Sequence, residues 1–271
     1  MTGQEPARGD LDHVPGESAQ TAAARPTLRV DIFTLFPAMF VGPFGESIIK
    51  RAQERGLLSL AVHDIRDWTT DRHRTADDTP YGGGAGMVMT APPIVSAVEE
   101  TLGAEISQTR IVLLSAGGRL FNQERARDFA QSGRIAFICG HYEGIDERVA
   151  EVLNAEQFSI GEYVLTGGEL PAMVAVDAIT RLIPGVIDAA SVSEESHEEA
   201  LVEYPHYTRP HTFRERSVPN ILLSGHHANI ARWRREQAIL RTARSRQDLL
   251  AQANLSPEER VVAENARSEP V

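Results

Sequence analysis

The sequence predicts an α/β protein with a mainly parallel sheet, followed by a small all-α C-terminal domain. Three observations carry that reading. Strand-like and helix-like segments alternate from Leu28 to Leu182, glycine recurs directly after strand-like runs, and the charge reverses sharply after residue 208. Alternation of this kind favours parallel strands joined by helical crossovers, with ligands beyond the carboxyl ends of the strands. At 271 residues and 42% hydrophobic content, the chain has material for one large core or two modest ones.

Residues 1–27 are rich in Gly, Pro, Ala, Ser and acid, with almost nothing to bury, and read as a disordered extension. The α/β domain is expected over 28–185. Its first strands are LRVDIFTL and LLSLAVHDI, with ESIIKRAQER spaced as a helix between them. A helix from Pro92 to Leu102 comes next, followed by the strand RIVLLS and the helix NQERARDFAQ. The strand RIAFICG, the helix DERVAEVL, the short strand EQFSI and the apolar helix ELPAMVAVDAITRL complete the succession, which Pro184 and Gly185 break.

Val186 to Glu203 carries six acidic residues and no Lys or Arg in a Ser- and Ala-rich context, so 186–206 reads as a flexible acidic linker. From Arg209 to Arg246 nine arginines stand against Glu215 and Glu236, a local charge of +7. The whole chain carries −11, so polyanion binding is plausible only where those arginines gather. Residues 207–271 read as helical, with Ser256 placed to cap the last helix.

Several chemistries are excluded by missing patterns. No run approaches the ~20 apolar residues of a membrane span. The first 30 residues carry no targeting pattern and Cys139 is the only cysteine, which together favour the cytoplasm. Nine histidines give no H-E-x-x-H, no G-x-S-x-G is present, and Tyr81-Gly82-Gly83-Gly84-Ala85-Gly86 lacks the Lys-Ser/Thr of a phosphate loop. Three glycine turns remain: Ser115-Ala116-Gly117-Gly118, Gly140-His141-Tyr142-Glu143-Gly144, and Gly161 with Gly167-Gly168. At the ends of successive strands they would wall a pocket that holds its ligand through main-chain groups, although tight βα turns would use the same glycines. Asp71 to Asp78 mixes both charges, as a solvated turn does and as a base-reading loop does. Arg232-Trp233-Arg234-Arg235 reads either as a phosphate-tracking face or as a solvated face with Trp233 in the core.

The runs LFPAMF, DRHRTADDTPYGGGAGM, CGHYEGIDERV, SIGEYVLTGGELPAM, RLIPGV, PHYTRP and LLSGHHANIARWR make the chain resemble the bacterial tRNA (guanine-37-N1)-methyltransferases, knotted methyltransferases of the SPOUT type, from about Arg29 to Ala251. The resemblance implies a trefoil knot in the N-terminal domain and a homodimer with the active site at the subunit interface. It implies S-adenosylmethionine as cofactor, magnesium for activity, and methyl transfer to N1 of guanine-37 in tRNAs that carry guanine at position 36. A related knotted enzyme acting on another RNA, or a non-catalytic RNA-binding protein, are the alternatives.

Carried over residue by residue, the resemblance assigns the cofactor to Ser115, Gly140, Tyr142, Gly144, Ile160, Gly161, Glu162, Tyr163, Val164, Leu165, Gly167 and Gly168. Glu195, or neighbouring Glu194, becomes the base, Arg181 the cation that steadies charge on O6, and Glu143 a carboxylate that orients groups or serves the magnesium dependence; Asp77, Ser224, Arg232 and Arg234 would hold the anticodon arm. The chain departs from the family pattern at Ala85 and Ala116, where proline is frequent, and at Glu162 and Glu195, where aspartate is frequent. Its linker is also one residue shorter between Arg181 and Glu195.

Overall fold

A computed structural model describes residues 27–188 and 200–268. The expected N-terminal extension, apart from Thr27, and linker residues 189–199 lie outside them. The central sheet has five parallel strands in the order β2-β1-β6-β5-β7. These are β1 (Leu28–Thr34), β2 (Leu58–Asp64), β5 (Arg110–Leu120), β6 (Arg134–Cys139) and β7 (Glu156–Ser159). Every residue of β6 is buried, which is why RIAFIC reads as an apolar run rather than an alternation.

Helices cover both faces. On one side α1 (Ser47–Glu54), α3 (Gln123–Ala130) and α5 (Glu169–Thr180) pack on Val30, Ile32, Phe137 and Phe158. On the other, α2 (Ala91–Leu102) and α4 (Arg148–Leu153) pack on Phe33, Leu113, Ala136 and Ile138. Neighbours in one strand face opposite cores, as the two-residue period requires. At the start of the sheet, buried Arg134 donates to Asp31 at 2.9 Å, and Asp31 also meets His63 Nε2 at 2.9 Å. Burial alone would raise the Asp31 carboxyl. The hydrogen bonds from His63 and Arg134 outweigh that, and the net is below the ordinary aspartate value.

Strand β5 runs past the expected RIVLLS to Leu120, because Ser115-Ala116-Gly117-Gly118 is a bulge and not a terminating turn. Phe158 faces both Leu114 and Arg119 across it. Gly118 is required at this crossing, since a Cβ there would lie 2.5 Å from the Phe158 nitrogen. Two short pairings have no signal in the sequence: β3 (Asp77–Asp78) with β4 (Val88–Met89), and β8 (Thr212–Phe213) with β9 (Arg216–Ser217). The second corrects the all-α expectation for the C-terminal region. Its turn is made by Arg214 and Glu215, both left-handed at φ 47° and 65°, residue types that do not announce such a turn.

After that hairpin come α6 (His227–Ser245) and α7 (Pro257–Ser268), which share a third core of Ala238, Ile239, Ala243, Leu255, Ala263 and Ala266. Ser256 and Glu259 cap α7 reciprocally, at 3.2 and 2.8 Å, in the position that the sequence marks. Leu201 joins this core and Val202 N–H donates to Thr242 Oγ1 at 2.8 Å. Composition had put both in the linker; their contacts tie them to the helices instead. Among the described residues no helix is long and apolar enough to cross a membrane.

Candidate active site

Beside the bulge in β5 and beyond the carboxyl ends of β6 and β7 lies a cleft of about 370 Å³. Its walls are the bulge at Ser115–Gly117, the turn after β6 at 140–147, and the segment 160–168 after β7. Of the residues assigned to the cofactor, all line the cleft except Glu162, which is exposed outside it. Glu143 also lines it. The last two walls are stitched together: Gly168 N–H donates to the Gly140 carbonyl at 2.8 Å, and His141 and Gly167 form an antiparallel bridge. Tyr142 holds a left-handed φ of 58°, uncommon for an aromatic residue and typical of backbone constrained at a site.

The glycine-rich loop closes on the same turn. Glu143 N–H donates to the Met87 carbonyl at 3.0 Å, Met89 N–H to that of Gly144 at 2.9 Å, and Asp146 N–H to that of Met89 at 3.0 Å. Gly86 sits directly over the Glu143 side chain, where an added Cβ would fall 2.4 Å from Oε1. With φ at 82° this is a position for glycine on two counts. On the far rim the Arg148 guanidinium brackets Asp146, whose carboxyl is lowered to about 2 by those hydrogen bonds. Cys139, beneath the turn, has its thiol pushed well up by burial and then by the Glu169 carboxylate, so it stays a neutral packing residue.

The remaining assigned residues lie elsewhere. Arg181 is half-buried and follows the last residue of α5, whereas the cleft lies at the first turn, a helix length of about 18 Å away at 1.5 Å per residue. Asp77 pairs with Met89 beside the glycine-rich loop. Ser224 Oγ donates to the Ile221 carbonyl at 2.7 Å and accepts from His226 N–H, so it shapes the entry to α6. Arg232 is exposed, but Arg234 is half-buried with its guanidinium 4.8 Å from the Tyr204 ring centre. The two do not share one face, because residues two apart on a helix point in divergent directions. Glu195 lies outside the described residues.

Sequence reasoning missed His141, Asp146, Met87 and Glu169 as parts of this site. Glu169 in particular reads as an ordinary acid in the first turn of a helix, yet it is 2% exposed. Nothing in the spacing shows that burial. Among the described residues no three His, Cys, Asp or Glu side chains gather as a metal site.

The family model described as tRNA (Guanine-1)-methyltransferase TrmD matches residues 28–252, from the first strand through α6. The tRNA (guanine-N(1)-)-methyltransferase of Thermomicrobium roseum is 58% identical over 243 residues, 90% of this chain and 91% of that protein. The one from Chloroflexus aggregans is 59% identical over 226 residues, 83% and 89% of the two chains, and the one from Geobacter metallireducens 53% over 234, 86% and 95%. These matches take in the sheet, the cleft and the basic helix together. The chain belongs to the tRNA (guanine-1)-methyltransferase family.

Proposed function

We propose that the protein transfers a methyl group from S-adenosylmethionine to N1 of guanine-37 in tRNAs that carry guanine at position 36. The observation that carries this is the convergence of eleven of the twelve assigned cofactor residues, and of Glu143, on one cleft within the span that the family matches. The cleft suits a nucleoside-sized ligand: glycine-lined backbone turns offer main-chain groups, and Ile160, Val164, Leu165 and Pro171 offer apolar surface. When bound, the cofactor supplies a methyl on a sulfonium, which is already an activated electrophile. Positioning then carries much of the rate.

Guanine N1 bears a proton at neutral pH, so a base must take it as the new bond forms. Glu195 is the proposed base, Arg181 the cation that steadies charge moved to O6, and Glu143 the carboxylate that orients groups within the cleft. The described residues gather no magnesium site, and no step here uses one. Asp77 and Ser224 would meet the anticodon arm, with exposed Arg232 on its phosphates and Arg234 bracing Tyr204 behind it.

The active form is proposed to be a homodimer in the cytoplasm. Arg181 lies a helix length from its own cleft, so a second copy must bring that group to the reacting base. Leu170 and Val174 on α5, with Val164 beside the cleft, are exposed and apolar, as a self-complementary surface would be. A trefoil knot is proposed for 28–185, supported by the segment after β7 lying across the turn after β6. A linker that starts at 186 and ends before Leu201, and the unit of helices after it, would carry the anticodon arm to that knot, with 1–27 outside both.

Incubation of the protein with S-adenosylmethionine and tRNA transcripts, followed by nucleoside mass spectrometry, tests this reading. A transcript with guanine at 36 and 37 should gain N1-methylguanosine, and one with another base at 36 should gain little. Equal methylation of both, or methyl elsewhere on the RNA, contradicts it.

A further inference from the structure

Beneath the cleft lies a buried carboxylate that the reaction does not use. Glu169 opens α5 and is 2% exposed. One of its oxygens accepts from Thr34 Oγ1 at 2.7 Å, at the end of β1. The other lies 3.9 Å from His141 Nδ1, too far for a hydrogen bond. His141 Nδ1 is itself buried and has no hydrogen-bond partner among the described residues. Its ring is held in place by Phe36 at 4.7 Å and by Tyr142 at 5.0 Å. Gly167 separates the two groups with no room to spare, since a Cβ there would fall 2.3 Å from Glu169 Oε2 and 2.7 Å from His141 Nδ1.

A buried nitrogen left without a partner costs stability, and a movement of about 1 Å toward Glu169 Oε2 would satisfy it. The movement available is a shift of the turn after β6, which carries His141 between Gly140 and Tyr142. We propose that Glu169 and His141 are a positioning pair: closure of the Nδ1–H···Oε2 gap locks the 140–144 turn in the form that binds the cofactor. The ligand-free protein therefore holds the pair open at a cost, and cofactor binding is coupled to its closure. This rests on the reading of the cleft as the S-adenosylmethionine site.

The test is a double-mutant cycle read by isothermal titration with S-adenosylmethionine, together with the unfolding temperature of the ligand-free protein. Glu169→Leu and His141→Leu fill the same space without a donor or acceptor, although the first also takes the acceptor from buried Thr34 Oγ1, so its stability is read beside its affinity. Each should weaken cofactor affinity about tenfold, and the double variant should be no weaker than either alone, because they break one interaction. His141→Asn puts an amide N–H where Nδ1 stands and should stay within about threefold of the unaltered protein. The ligand-free unfolding temperature should hold or rise for His141→Leu and fall for Glu169→Leu, which leaves Thr34 Oγ1 without its acceptor. Additive losses of about a hundredfold, unchanged affinities, or affinities that fall only in step with unfolding temperature would overturn the pair. Should Glu169→Leu fail to fold, the contrast between His141→Leu and His141→Asn decides alone: equal loss in both counts against the pair. Unaltered protein that binds no S-adenosylmethionine would instead remove the reading of the cleft, and the inference with it.

Discussion

Single atoms decide whether this cleft can work. Gly86 leaves a space that the Glu143 carboxylate fills, so Gly86→Ala must both move that side chain and strain a backbone at φ 82°. We expect single-turnover methylation to fall at least about tenfold, with an unfolding temperature close to that of the unaltered protein, because the position is exposed. A loss of stability that accounts for the whole defect would remove Glu143 from the orienting role. In the linker, Glu195→Gln keeps size and removes the proposed base, so single-turnover methylation should drop by about 100-fold or more while cofactor affinity holds. Glu194→Gln should behave like the unaltered protein. Reversed phenotypes would move the base by one residue, and two active variants would take proton removal off the linker. At this scale the sequence was legible where chemistry is written in the backbone: the glycines of 140, 144, 161, 167 and 168 all line the cleft. It was illegible where burial decides, as at Glu169, whose neighbours in space are Thr34 and His141 rather than its neighbours in sequence. Arg234 shows the same limit, since its contact with Tyr204 depends on a chain reversal 30 residues long.

Among the elements, the sheet owes its alignment to apolar strands and to one buried ion pair at their starts. Asp31 is held below the ordinary value of 3.8 by His63 and Arg134 against the opposing pull of burial. A lowered carboxyl contributes stability that is present above its unfolded value and is lost as the pH falls through the folded one. Asp31→Asn leaves buried Arg134 with Glu105 as its acidic partner and should cost about 2 kcal/mol near neutral pH, a loss that shrinks as acid protonates Asp31 in the unaltered protein. Urea unfolding at several pH values measures it. A pH-independent difference would mean that packing, not charge, sets the cost. Strong hydrophobic periods made β1, β2, β6 and the five helices of this region readable. Strand β5 was cut short in the reading because Gly117-Gly118 has the composition of a turn, whereas its glycine serves a crossing against Phe158. The two-residue strands were invisible, being too short to hold a period.

For the whole molecule, charge and connectivity are arranged at a distance. An acidic chain keeps nine arginines within residues 209–246, so tRNA binding that draws on this segment, as proposed, should weaken with salt. The proposed knot has no signature in periodicity, because threading is a property of the closed path and not of any segment. The same holds for the proposed dimer, whose argument comes from separation: Arg181 stands at one end of α5 and the cleft at the other. Methyl transfer at a site shared by two copies is the central claim, and mixing two inactive variants tests it most directly. Gly161→Val should close the cleft, and Arg181→Ala removes the cation, so each alone should form almost no N1-methylguanosine. Unfolded and refolded together, half of the dimers would pair one of each and hold one intact site, so activity should return to about one quarter of the unaltered protein. No recovery, with mixed dimers demonstrated by mass, would place cleft and Arg181 in the same copy and contradict the account.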